Sequence, residues 1–232
     1  MTYDREKLLN MLSTAPLYKG MIFHEGKNDD FFNSMDNDFN NYYNYAYGAT
    51  KLAIIPVSEK EDYVIKIPYT GCYNYESGYY INSFYHPTRE DYWDYCNSES
   101  DERCWDYCAG EVNRYRIAAE KGFSHYFAKT ELLGYINDYP IYIQEKCITF
   151  KSCQYRHIHT KEEKMITSNC CNYYNSINED WLTDFRLFYG KEILFNFINF
   201  ICNLNWDDDL RDDNIGYIKN RPVLIDYSGF LD

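Results

Sequence analysis

The residues near the C-terminus carry the strongest chemical signal. Asp209-Leu-Arg-Asp-Asp-Asn214-Ile-Gly216 places an acid five residues before an asparagine, and Val223-Leu-Ile-Asp226-Tyr-Ser-Gly229 ends a short apolar run with a second acid. Phosphoryl transfer needs such a set. One carboxylate orients an attacking hydroxyl, while an amide oxygen and another carboxylate hold Mg²⁺, a hard ion that takes oxygen ligands. A strand at 215–218, a turn at Asn220-Arg-Pro222 and a strand at 223–225 form a hairpin that brings Asn214 and Asp226 together. The plainer alternative is a solvated acidic loop before a hairpin.

A cation stands upstream. Lys66 lies inside the apolar run Tyr63-Val-Ile-Lys-Ile-Pro68. An ammonium among apolar neighbours is costly unless paired, and the alternative is an edge-strand lysine facing water. With Lys51-Leu-Ala-Ile-Ile-Pro56 and the charged turn at 58–62, this run reads as a β-hairpin. Residues 101–121 place Trp105, Cys108, Val112, Tyr115 and Ala119 at three- and four-residue steps, with Glu111 in the middle and Glu120 at the end.

The remaining elements follow from period and punctuation. Residues 1–20 read as a helix ended by a turn at Pro16, and 25–45 as an Asp- and Asn-rich loop leading into a strand. Residues 69–100 read as an inserted loop with a short helix near 89–96. Two strands are expected at 131–136 and 141–145, and the polar stretch 148–178 resists assignment. Asp180 is the expected cap of a helix that begins at Trp181. Gly190 interrupts it, and a strongly apolar helix over 191–204 must be buried. The order predicts an α+β fold with a cleft between a strand-rich first half and a helix-rich second half.

Composition sets limits. The chain has 232 residues, 36 acids against 23 bases and a formal net charge of -13, so a phosphate backbone would be repelled and nucleic-acid binding is not expected. The wealth of Tyr, Phe and Asn fits AT-rich codons. No apolar run approaches a membrane span, and the charged first residues do not form a signal peptide. Nine irregularly spaced cysteines imply reduced thiols in a cytoplasm. Cys104 and Cys108, with Cys96, lack a C-x-x-C pair, and are read as helix thiols rather than zinc ligands. His157 and His159 are read as surface residues.

The two C-terminal motifs resemble the catalytic loop and the metal-binding loop of protein kinases. They are more similar still to kinase-like proteins of bacteriophages, which carry runs like Asn214-Ile-Gly-Tyr217 and Leu224-Ile-Asp-Tyr-Ser-Gly-Phe230. The resemblance implies a bilobal, protein-kinase-like fold: an antiparallel N-lobe sheet with one helix, and a minimal helical C-lobe. It implies an N-terminal extension at 1–40, an N-lobe at 41–147 with an insertion at 69–100, and a truncated C-lobe at 148–232. ATP and Mg²⁺ are the implied ligands. Asp209 would be the catalytic acid, Asn214 and Asp226 the metal ligands, and Lys66, held by Glu111, the group that grips the α- and β-phosphates. Gln144-Glu-Lys-Cys147 resembles the hinge, so Glu145 and Cys147 would meet adenine through their main chain; an ordinary strand exit is the alternative. Gly48 and Thr50 would cover the phosphates.

Two departures stand beside the resemblance. Asp207 and Asp208 replace the His-Arg that kinases carry before the catalytic acid, and the usual Gly-rich loop is reduced to Gly48. The chain also ends three residues after Gly229, without an activation segment or the later helices that bind a peptide substrate. The implied function is γ-phosphate transfer to a protein or small-molecule hydroxyl, in a host cytoplasm if the chain is viral. The alternative is a pseudokinase, a module that engages a host protein without catalysis. An acidic decoy that mimics nucleic acid is a third reading, resting on charge alone.

Overall fold

A computed structural model describes residues 1–13, 22–24, 41–47, 51–68, 70–74, 79–83, 107–136, 139–153, 159–169, 177–206 and 210–227. The protein is α+β. It forms two compact units, one built on Met1–Val112 and Thr130–Lys146, the other on Asn113–Lys129 and Cys147–Phe230. Among the described residues no helix is long and apolar enough to cross a membrane.

The first unit is organised by a five-stranded antiparallel sheet. Its strands are β2 (Tyr43–Tyr47), β3 (Lys51–Pro56), β4 (Tyr63–Pro68), β7 (Thr130–Ile136) and β8 (Tyr139–Glu145), in the order β2-β3-β4-β8-β7. Side chains alternate across a strand, so one face collects Leu52, Ile54, Ile65, Ile67, Ile141 and Ile143. Helix α1 (Arg5–Leu12) closes this core with Leu8 and Leu12. Each such aliphatic side chain contributes about 1.5–3 kcal/mol on burial. Asp4 caps α1 by accepting the N–H of Lys7, and Arg5 fastens the helix to the sheet by donating Nε–H to the carbonyl of Leu133. The helix expected before a turn at Pro16 ends at Leu12, and Pro16 lies outside the described residues.

A second, three-stranded sheet in this unit pairs β1 (Ile22–His24), β6 (Tyr79–Ser83) and β5 (Thr70–Asn74). It corrects the expectation that 69–100 begins as a loop; the short helix expected near 89–96 lies outside the described residues. Between β6 and β7 runs helix α2 (Tyr107–Glu120).

The second unit is helical, with a small sheet. Helix α3 (Lys161–Ser168) starts with a capping box, in which Thr160 and Glu163 satisfy each other's backbone N–H. This helix lies in the stretch that periodicity left unassigned. Helix α4 (Glu179–Tyr189) is capped by Asn178, whose side chain accepts the N–H of Asp180, not by Asp180 as expected. Asp180 instead sits in the first turn, where its charge suits the helix dipole. Gly190, at φ 99° and ψ 161°, adopts a conformation open almost only to glycine and separates α4 from α5 (Lys191–Cys202).

Helix α5 buries Leu194, Phe197, Ile198 and Ile201 as expected, while Phe195 on its other face stays exposed, and the helix stops before Leu204, which is also exposed. Phe185 of α4 stacks on Phe197 at 4.7 Å, and Trp181 donates its indole N–H to the carbonyl of Gly216. The sheet orders β11 (Arg221–Leu224), β10 (Ile215–Ile218) and β9 (Ile148–Thr149). Lys219 and Asn220 make the hairpin turn with positive φ values of 49° and 66°. Pro222, expected in the turn, lies in edge strand β11 opposite Tyr217, where a residue lacking an N–H is tolerated.

Candidate functional site

Strand register assembles a polar cluster on the face of the five-stranded sheet opposite its aliphatic core. Lys66 pairs with Ala53 on β3 and with Tyr142 on β8, so β4 is a central strand and the edge-strand alternative does not hold. Lys51 is two residues before Ala53 and shares its face. Gln144, opposite Val64 and Thr130, extends the same face across β8 and β7.

Glu111 of α2 is the centre of this cluster. Its carboxylate is fully buried, and Lys66 is only 5% exposed. The Lys66 ammonium donates to both carboxylate oxygens, at 2.9 Å to Oε1 and 2.8 Å to Oε2. Lys51 donates to Oε1 at 2.6 Å. Thr130 Oγ1 and Gln144 Nε2 each donate to Oε2 at 3.2 Å, and Gln144 also reaches Thr130 at 2.7 Å. Two ammonium groups and two neutral donors therefore hold one carboxylate. Desolvating a lone carboxylate is expensive; here Coulomb attraction and five hydrogen bonds offset it. An ammonium has three N–H donors. The described partners of Lys66 are the two Glu111 oxygens, which leaves one N–H for a further acceptor.

Asn214 and Asp226 meet in the second unit. The carbonyl of Asn214 accepts the N–H of Ile225 at 2.8 Å and that of Asp226 at 3.3 Å. Asn214 is buried, and its own N–H closes a turn onto the carbonyl of Arg211. Around them, Asn178 donates to Asp212, and Lys151 pairs with Asp213 at 3.1 Å. Arg114 of α2 donates to the carbonyl of Tyr227 at 2.8 Å and lies over the Trp206 ring at 5.0 Å, so the chain just after Asp226 is anchored. The Tyr227 hydroxyl donates to the carbonyl of Ala128 at 2.6 Å. Amide and carboxylate oxygens are hard donors of the kind Mg²⁺ takes.

Other expected site residues are placed less tightly or lie elsewhere. Glu145 ends β8 opposite Tyr63, and Glu145 and Cys147 are both half-buried. Gly48, Thr50 and Asp209 lie outside the described residues. Glu120, the alternative acid of α2, pairs on the surface with Arg116. His159 is not a surface residue: its ring is shielded and Nε2 lies 3.0 Å from Asp184 Oδ1, while Tyr217 donates to Oδ2 at 2.6 Å. Burial, together with that bond to Asp184, pushes the Tyr217 phenol well above its usual range. Cys108 is a buried thiol, and Cys96 and Cys104 lie outside the described residues. Among the described residues no three His, Cys, Asp or Glu side chains cluster as a metal site.

Sequence reasoning missed Lys51, Thr130 and Gln144. The signal was available in the hairpin register, which puts Lys51 on the face of Lys66, and in the alternation of Tyr142 and Gln144 along β8. Comparison with protein-family models, with curated proteins and with solved structures gave no match.

Proposed function

We propose that the protein is a kinase-like, ATP- and Mg²⁺-binding protein that transfers the γ-phosphate to a protein or small-molecule hydroxyl. The observation that carries this reading is the pair formed by Lys66 and Glu111. A buried ammonium on a central strand, gripped at both carboxylate oxygens by a helix glutamate, is set firmly in place with one donor to spare. That is what a fixed phosphate ligand needs. An antiparallel sheet with a glutamate-bearing helix between its third and fourth strands in sequence also supports the N-lobe that the resemblance implies.

In this reading Lys66 and Glu111 are the phosphate-binding pair, and Asn214 and Asp226 are the metal-binding pair. Lys66 binds the α- and β-phosphates and holds them still. Asn214 and Asp226 would hold Mg²⁺, which when bound supplies neutralisation of phosphate charge. Asp209 orients the acceptor hydroxyl and takes its proton as the oxygen–phosphorus bond forms; the bond from the γ-phosphorus to the bridging oxygen breaks, and ADP leaves with that electron pair.

Thermal melting with Mg²⁺-ATP tests the reading, because a ligand that binds only the folded state raises the melting temperature. The parent is expected to shift upward, and Lys66→Met and Asp226→Ala to lose most of the shift. No shift in the parent overturns the nucleotide claim. A shift without transfer of radiolabelled γ-phosphate to any acceptor replaces catalysis with the pseudokinase reading.

A further inference from the structure

The second ammonium on Glu111 has no role in the scheme above, and its geometry suggests one. Lys51 reaches Oε1 at 2.6 Å from β3, while Lys66 reaches Oε1 and Oε2 from β4. Both lysines are less than a tenth exposed, and the carboxylate between them is sealed from water.

Consider what an arriving phosphate does to this arrangement. An ammonium that turns part of its bonding toward a phosphate weakens its hold on its own carboxylate. If Lys66 were the sole cation on Glu111, binding would expose a buried charge to partial loss of compensation, and that cost would be subtracted from affinity. Thr130 and Gln144 would remain, but neutral donors do not replace a cation. With Lys51 on Oε1, the carboxylate keeps a full positive partner while Lys66 engages its ligand. The carboxylate in turn stays where it can orient Lys66.

We propose that Lys51 is a positioning residue: it keeps Glu111 compensated so that the Lys66 ammonium can be shared with the phosphates of a nucleotide. This rests on the nucleotide reading of the site. Lys51 is not required to touch the ligand; its effect passes through Glu111 to Lys66.

The test is a double-mutant cycle on Mg²⁺-ATP affinity, measured by equilibrium calorimetry on the full chain. It uses the parent, Lys51→Gln, Lys66→Met and the double variant, with Lys51→Arg as the charge-conserving control. Circular dichroism checks that each is folded, and Lys51→Gln removes the charge while keeping a polar side chain. Lys51→Gln is expected to weaken binding about tenfold, a difference of about 1.4 kcal/mol. Lys51→Arg is expected to restore most of that affinity. In the Lys66→Met background the Lys51→Gln change is expected to have little further effect, since its action runs through Lys66. If the parent binds Mg²⁺-ATP but Lys51→Gln binds equally well, or if the two losses add in full, the role of Lys51 is overturned and the nucleotide reading survives. If the parent does not bind, the nucleotide reading falls and takes this one with it.

Discussion

The backbone N–H of Asp226 lies 3.3 Å from the carbonyl oxygen of Asn214, and the N–H of Ile225 donates to the same oxygen at 2.8 Å. The two residues proposed to hold a metal are thus tied together through main chain, whatever their side chains do. Strands β10 and β11 make that tie possible, and their packing leaves no room at Gly216. A methyl group there would overlap the carbonyl oxygen of Ile148 on β9 and the side chain of Ile225.

Gly216→Ala is therefore expected to destabilise the second unit by about 1–3 kcal/mol or more, since backbone must move to admit the methyl. Gly134→Ala is the contrasting case. Its new methyl would meet only the tip of Leu9, at 2.7 Å, and that side chain can turn aside. Urea denaturation of the two variants should show the larger loss for Gly216→Ala. Equal losses would mean that β9 yields easily.

Glu111→Ala is expected to be among the most destabilising changes in the first unit. It removes the carboxylate that two buried ammonium groups share, and removing one partner of a buried pair costs about 3–5 kcal/mol. Lys66→Met should cost less than about 2 kcal/mol, because Glu111 keeps Lys51, Thr130 and Gln144 as donors. Chemical denaturation of both variants checks the order. A Lys66→Met variant as unstable as Glu111→Ala would show that Lys51 does not compensate the carboxylate.

Much of this arrangement was legible from the chain itself, for physical reasons. The hairpin of 51–56 and 63–68 announces itself through β-branched runs around a charged turn, whereas Lys66 alone reads equally as an edge-strand lysine facing water, and its pairing with a helix glutamate was expected only from the resemblance. Glu111 could be chosen over Glu120 because it sits mid-helix. What stayed hidden depends on register and on local chemistry that periodicity does not see. Lys51 looks like the polar start of a strand until the pairing of Ala53 with Lys66 puts it on the same face. Helix α3 carries too weak an apolar stripe to be noticed, although Thr160 and Glu163 have the spacing of a capping box. The cap of α4 was misplaced because Asn178 and Asp180 are both good caps, and only backbone geometry chooses between them.

Arg114 offers a separate handle on the C-terminal loop. Its guanidinium donates to the Tyr227 carbonyl and covers Trp206, and it is only 8% exposed. Arg114→Ala should cost about 1.5–3 kcal/mol for the lost charged hydrogen bond, with a smaller cation–π contribution. Arg114→Lys should recover only part of it, since a point ammonium cannot both lie over the ring and reach the carbonyl as a planar fork does. Near-ultraviolet circular dichroism of Trp206 and the denaturation midpoint report the two losses. Full recovery by lysine would reduce the role of Arg114 to its charge.

Alkaline pH should unfold the protein earlier than surface tyrosines would suggest. Burial, then the hydrogen bond and negative charge of Glu131, push the Tyr3 phenol up to about 12. Burial also raises Tyr189 to about 12, against the opposing effect of Arg221. A phenol whose folded value exceeds its usual value of 10.0 favours the folded state in full below pH 10, and loses that contribution as pH rises toward 12. Stability is thus expected to hold steady up to about pH 10 and to fall between there and pH 12. Tyr3→Phe gives up the 2.6 Å bond to Glu131 at neutral pH but removes one of the titrating groups. Its stability should start lower than the parent's and fall less steeply over that window. Denaturant midpoints measured at half-unit steps across the window decide the matter: parallel curves for parent and Tyr3→Phe would show that Tyr3 does not contribute to the alkaline transition.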